Sequence, residues 1–257
     1  MPEQHTPEPL AGHTQPLRVL TVNIHKGFTF FNRRFMLPEL REAIRQVGAD
    51  VVFLQEVTGE HQRHALRQPQ WPKTSHYEFL ADTIWTAHAY GRNAVYPNGH
   101  HGNAVLSRFP IMSFDNHDIS VGRHEARGLL HCVIRPAGDD VHLLCVHLGL
   151  LESHRREQLR RVCEFVAALP DDAPVVIAGD FNDWRLRADE ALRRCGLREI
   201  HQGVRARPVR TYPARCPVLR LDRIYVKNVR HCNPVPLSRQ PWSRLSDHVP
   251  IAAEVSP

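Results

Sequence analysis

The sequence predicts a mixed α/β domain, on three observations. A strand-helix-strand pattern opens the chain, a series of short strand candidates separated by turn residues fills its middle, and its most apolar runs are continuous, as in strands covered on both faces.

LRVLTVNI, residues 17–24, alternates so that Val19, Thr21 and Asn23 share one face and Leu20, Val22 and Ile24 the other. Leu37, Leu40, Ile44 and Val47 then recur at helical spacing, with Pro38 in the first turn and Gly48 as a stop. VVFLQE, residues 51–56, is a buried-strand run. Further strands are expected at 93–96, 103–107, 111–114, 128–134 and 141–147, with turns at Pro97-Asn98-Gly99 and Gly138-Asp139-Asp140; helices should be sparse here and antiparallel pairing common.

A helix over 153–169 places Leu159, Val162, Cys163 and Val166 on one stripe, with Arg155, Arg156, Arg160 and Arg161 read as a solvated face. A strand at PVVIAG (174–179), a helix around 188–195, an irregular arginine- and proline-rich stretch over 203–217, and strands over 218–226 and 249–255 complete the chain. Residues 1–16, polar and proline-rich, read as a flexible N-terminal arm, and 17–257 as one domain.

With 42% apolar and 23% charged residues among 257, the chain has material for a large core. No apolar run approaches the roughly 20 residues that span a bilayer, and the N-terminus lacks the basic and hydrophobic regions of a secretory signal. Six cysteines, Cys132, Cys145, Cys163, Cys195, Cys216 and Cys232, occur without a C-x-x-C pair, the pattern of reduced, buried thiols and hence of a cytoplasmic protein. The formal charge of +6 favours anionic partners, and nearly all the positive charge is arginine; either bidentate phosphate recognition or genomic composition accounts for that bias.

The informative feature is that strongly apolar runs repeatedly end in, or enclose, an acid, amide or imidazole: Asn23 in TVNI, Glu56 in VVFLQE, His147 in LLCVH, Asp180 and Asn182 in VVIAGDFN, Asp222 in LRLD, then Asp247 and His248 in SDH. Any one has a structural explanation, such as a capped turn, an arginine partner for Asp222 or a satisfied core histidine. Together they point to a site, because each buried ionisable group costs several kcal/mol unless it is paired or binds metal. Carboxylates and an amide oxygen are hard donors suited to Mg²⁺, with Mn²⁺ as a substitute. Zinc fits less well: no Cys/His cluster has ligand spacing, and His100-His101 reads as a pair in a turn-rich segment, either exposed or lining a cleft. The G-x-S-x-G and G-x-x-x-x-G-K-[ST] motifs are absent.

TVNIH, LQEV, GNAVLSR, EARGLL, VHLGLLESHRREQ, GDFND, LDRIYV and SDHVP follow in an order that resembles the DNase I-like endonuclease/exonuclease/phosphatase superfamily from about residue 17 to 250. GDFND and SDHVP are the most specific pieces. Over its length, including NIHKGFTFFNRRFMLPELR, the chain is similar to the bacterial YbhP-like branch. The resemblance implies a four-layer α/β sandwich, two packed mixed or antiparallel sheets flanked by helices, with a cleft at one end. It implies that Glu56 is the main metal ligand, with Asn23 and Asp247 nearby, and that Asp180 activates water with Asn182 beside it. His147 and His248 would stabilise the phosphorane or protonate the leaving oxygen, with Asp222 orienting His248. Asn103 and Arg127 match recurrent positions that touch substrate or support the site, or else simply pack or hold a strand edge.

The expected activity is metal-dependent phosphodiester hydrolysis, phosphomonoesters included, first of nucleic acid. A phospholipid headgroup or small phosphodiester is the alternative, in which Phe28, Phe30, Phe31 and Phe35 either pack beneath their loop or meet a membrane surface without a spanning segment. A non-catalytic phosphate-ligand binder on the same fold is a third reading.

Overall fold

The computed structural model describes residues 15–123, 125–203 and 207–257. Residues 1–14 of the expected arm and 204–206 of the irregular stretch lie outside the described residues.

The chain runs β1 (Leu17–Asn23), α1 (Leu37–Val47), β2 (Val51–His61), α2 (Gln62–Ala65), α3 (His76–Ala81), β3 (Ala87–Tyr96), β4 (Gly99–Ser107) and β5 (Ile111–Asp118). It continues through β6 (Gly128–Ile134), β7 (Val141–His147), α4 (Glu152–Ala167), β8 (Val175–Asp180), α5 (Ala188–Arg194), β9 (Arg198–Glu199), β10 (Asp222–Lys227), β11 (His231–Val235) and β12 (Ile251–Ser256). Two six-stranded sheets result, ordered β11-β12-β1-β2-β4-β3 and β5-β6-β7-β8-β10-β9. Each has one parallel pair at its centre, β1 with β2 and β7 with β8, bridged by α1 and α4, and antiparallel strands around it. The expected sandwich of two mixed sheets flanked by helices is present.

Three apolar layers hold it together. Val19, Phe53 and Val105 of the first sheet meet Leu130, Leu143, Val176 and Ile224 of the second. The opposite face of β1, with Leu20 and Val22, packs under Leu37, Leu40 and Ile44 of α1, and Val146 and Ile177 pack under Leu159, Val162 and Val166 of α4. The alternation read in residues 17–24 thus separates two cores, which is why both faces are buried, that of Val19 apolar at first and polar towards Asn23.

Several expectations change. Over 93–147 the strands pair antiparallel with no helix between them, as expected; before them stands α3, which was not expected and carries a capping box in which Ser75 and Glu78 exchange hydrogen bonds. Strand β11 was not expected, because Pro234 interrupts its pattern; it lies at a sheet edge, where proline is tolerated. His100 and His101 sit half-buried in β4, not exposed in a turn. Arg155 does not belong to the solvated face of α4: its side chain is buried, donates to the carbonyls of Gly149 and Leu150, and lies over the Trp184 ring. Cys163 and Cys195 form a disulfide between α4 and the residue after α5, which corrects the expectation of six reduced thiols; of the other four, Cys216 is exposed and not buried. A separation of 32 residues carries no pairing signal. No described helix is long and apolar enough to cross a membrane.

Candidate functional site

At one end of the sandwich the strand termini converge. Parallel pairing sets His147 beside Asp180, and antiparallel pairing sets Asp180 beside Asp222, so three neighbouring strands present imidazole, carboxylate and carboxylate in register. From the first sheet, β1 delivers Asn23, whose Nδ2 donates to Asp180 Oδ2 at 3.1 Å and to Glu56 Oε1 at 3.3 Å. Glu56 stands at a register shift in β2 with a φ of 54°, an uncommon conformation for a residue with a side chain that costs roughly 1–3 kcal/mol. The bulge breaks the in-out alternation: Gln55 is fully buried, while Glu56 reaches the cleft.

Asp247 and His248 arrive on the loop before β12. His248 Nδ1 hydrogen-bonds Asp222 Oδ2 at 2.7 Å, and its Nε2 lies 3.7 Å from Asp180 Oδ2. His147 Nε2 approaches the same Asp180 oxygen at 3.5 Å. The two imidazoles are driven in opposite directions. Burial depresses both, but Asp222 and Asp180 overcome it at His248 and push its pKa up to about 10. At His147 burial, reinforced by Arg127, prevails and lowers the pKa to about 4. At neutral pH His248 is cationic and His147 neutral.

Burial would raise the pKa of Glu56, yet positive charge, that of His147 once it is protonated in acid and that of Lys26 and His25, holds it well below the usual carboxylate range. Burial raises that of Asp247, and the neighbouring Glu56 charge adds to it. Two oxygen-bearing acids that repel one another fit a divalent cation, and Asn23 Oδ1, which accepts the His25 backbone N–H at 3.0 Å, keeps a second lone pair beside them. Asp180, Asp222 and His248 also bring their polar atoms within 4.8 Å of one another. His248 and Asp222 already satisfy each other, so this trio reads as a hydrogen-bonded relay and not as an open ligand set.

Asn182, with a φ of 50°, donates its backbone N–H to Asp180 Oδ1 and its Nδ2 to Leu148 O, at 2.9 Å in both cases. A cleft of about 560 Å³ is lined by Glu56, His147, Asp180, Asn182, Asp247 and His248, together with Arg127. Asn103 is placed elsewhere: fully enclosed, its Nδ2 donates to the carbonyls of Gly128 and Cys145, bracing β4 against the other sheet. Asp222 takes His248 as its partner, while the adjacent Arg223 pairs with Asp183 and Asp189.

In the cleft or just behind it stand further residues to which the sequence had assigned no role. Lys26 Nζ sits 3.1 Å from Glu56 Oε2, His25 Nδ1 3.5 Å from Asp247 Oδ2, and the Tyr212 ring 5.0 Å from that of His248. Glu125 and Trp184 complete the wall, together with His101, for which lining the cleft was one of the two readings. His25 and Lys26 follow Asn23 after one residue, Ile24, and that closeness was the available signal; Tyr212 had none.

The Endonuclease/Exonuclease/phosphatase family profile matches residues 20–248, an interval that contains every residue above. YbhP of Escherichia coli K12 is 58% identical over 241 residues, 93% of this chain and 95% of that protein. Among solved structures, an endonuclease/exonuclease/phosphatase from Beutenbergia cavernae aligns with a TM-score of 0.71 at 20% identity, over 94% of this chain and 72% of that one. D. rerio TDP2 complexed with single strand DNA product aligns with a TM-score of 0.68 at 19% identity, over 94% and 99%. These two structures share the fold. The family profile and the identity to YbhP establish more: the chain belongs to the endonuclease/exonuclease/phosphatase family.

Proposed function

We propose that this protein hydrolyses phosphodiesters with the help of a divalent cation, Mg²⁺ first and Mn²⁺ as a substitute. The observation that carries the reading is the position of Asp180 Oδ2, 3.5 Å from the neutral His147 and 3.7 Å from the cationic His248. Glu56, Asn23 and Asp247 would hold the ion, which when bound neutralises phosphate charge.

The chain's own groups divide the remaining work. Asp180, with Oδ1 anchored by the Asn182 N–H, accepts the proton of the attacking water at Oδ2. Asn182 keeps one amide hydrogen beyond its bond to Leu148 with which to position that water. His248, held by Asp222, provides positive charge and a proton for the leaving oxygen, and neutral His147 contributes a hydrogen bond to the phosphorane. Arg127, whose buried Nε has no partner among the described residues, is suited to a substrate oxygen. Asn103 supports the site from below.

Two substrate classes are proposed. The net charge of +6 and the likeness to TDP2 with its single strand DNA product support nucleic acid. The apolar side chains of Leu150 and Trp184 at the cleft support a phospholipid headgroup. Four free cysteines fit the proposed cytoplasmic setting, and the Cys163–Cys195 bridge does not.

The test is turnover of an aryl phosphodiester, plasmid DNA, RNA and phospholipid vesicles with Mg²⁺ or Mn²⁺, with and without EDTA. Metal-dependent hydrolysis of at least one is expected. Binding without turnover across the panel would instead support the non-catalytic reading.

A further inference from the structure

Among the described residues, eleven large apolar side chains are exposed: Leu66, Val95, Met112 and Phe114 lie outside the loops that carry the cleft, and the other seven lie on them. Phe31 is 69% exposed, Leu150 53%, Leu151 58%, Trp184 44% and Val218 55%. All lie on loops that carry the cleft: those after β1, β7 and β8, and the one before β10. Phe28 and Phe35 pack inside as the core reading expects, so Phe31 is left at the surface while its neighbours are buried.

Beside Phe31, a groove of about 720 Å³ is lined by Arg33, Arg34, Arg215, Arg239 and Arg244. All five are exposed, and among the described residues only Arg34 meets a carboxylate, that of Glu39 at 3.8 Å. The loop after β1 carries both Phe31 and Arg33, and the segment before β10 both Val218 and Arg215. Phe30 lies 6.5 Å, ring to ring, from Tyr212, which touches His248, so the groove adjoins the cleft.

We infer that this end of the molecule docks on an anionic phospholipid bilayer, with the apolar side chains immersed at the interface and the arginine groove on the headgroups. The inference rests on the phospholipid reading of the proposed function. Charge complementarity alone would admit a nucleic-acid strand, which stacks its bases on aromatic rings. Of these five exposed apolar side chains only Phe31 and Trp184 are rings, with the half-buried Phe30 and Tyr212 behind them; Leu150, Leu151 and Val218 gain nothing from stacking but do gain from contact with acyl chains. Exposed arginines beside exposed aliphatics are the composition of an interfacial surface. Docking in this orientation brings a headgroup phosphodiester to Asp180 and His248 without extracting the lipid fully from the membrane.

The experiment is co-sedimentation of the full chain, in EDTA, with vesicles of phosphatidylcholine alone and of an equal mixture with phosphatidylglycerol, with an oligodeoxynucleotide binding assay in parallel. Preference for the anionic vesicles, weakened by salt, is expected. The doubles Phe31→Ser/Leu151→Ser and Arg33→Glu/Arg215→Glu should each weaken vesicle binding about tenfold or more. Both should keep wild-type melting temperature and wild-type turnover of a soluble aryl phosphodiester, since none of the four residues lines the cleft. Equal affinity for the two vesicle types, or doubles that bind as wild type, would overturn the inference. So would an oligonucleotide released by the same substitutions while vesicles are ignored. Vesicle binding without metal-dependent turnover would leave the docking intact and defeat the catalytic reading.

Discussion

Lys26 places its ammonium 3.1 Å from Oε2 of Glu56, on the carboxylate proposed to hold the metal ion. A fixed cation and a divalent one therefore compete for one acid, and Lys26, 37% exposed along its side chain, is free to swing away when the ion arrives.

Replacing Lys26 with Met should lower the Mn²⁺ concentration that half-saturates the protein about two- to fivefold, the range of a partly exposed ion pair. Glu56→Gln should raise it about tenfold or more. Titration calorimetry with Mn²⁺ reads both; a Lys26→Met protein that binds the ion more weakly would place Lys26 on the phosphate instead.

Asp180→Asn keeps an oxygen to accept the Asn182 N–H but loses the base. Turnover of an aryl phosphodiester should fall by about 10²–10⁴, with an unchanged circular dichroism spectrum. A rate near wild type would mean that another group activates the water.

His248 gives a pH dependence with a definite sign. Its folded pKa of about 10 lies above the roughly 6.5 of an unfolded histidine. The stabilisation from its pairing with Asp222 is thus complete below about pH 6.5 and is lost as pH climbs towards 10. In EDTA, denaturant midpoints should decline across that interval, and His248→Gln should decline less. Parallel curves would show that the pair does not titrate as a unit.

Arg155→Ala would leave the carbonyls of Gly149 and Leu150 without their buried donor and Trp184 without its support. A loss of about 2–3 kcal/mol is expected, visible as a melting temperature lower by about 5–10 °C. An unchanged melting temperature would mean that water replaces the guanidinium.

Much of this architecture was legible because burial on two faces leaves a strong mark. VVFLQE, LLCVH and VVIAGD are continuous apolar runs whose final residue is polar, and the structure gathers those final residues at one end. The legible part stops where partners are distant. Glu56 could be named but not its left-handed backbone, because the bulge depends on how β2 meets β4. Arg155 and Cys163 sit on a helix whose pattern fits an exposed and an apolar stripe equally well; their partners, Trp184 and Cys195, come from segments that the helix meets only in the fold. The helix at 76–81 was readable from S-x-x-E alone, since a capping box is local.

Asn23 and Glu56 belong to one sheet, and His147, Asp180 and Asp222 to the other. Beneath them, Asn103 and the contact of Gln55 Nε2 with Cys145 Sγ at 3.4 Å stitch the sheets together. Neither sheet owns the chemistry, so hydrolysis reports how faithfully one slides into register with the other. Damage to that seam would silence the protein while every strand and helix is still in place, and loss of activity in dilute denaturant should therefore precede any loss of secondary structure.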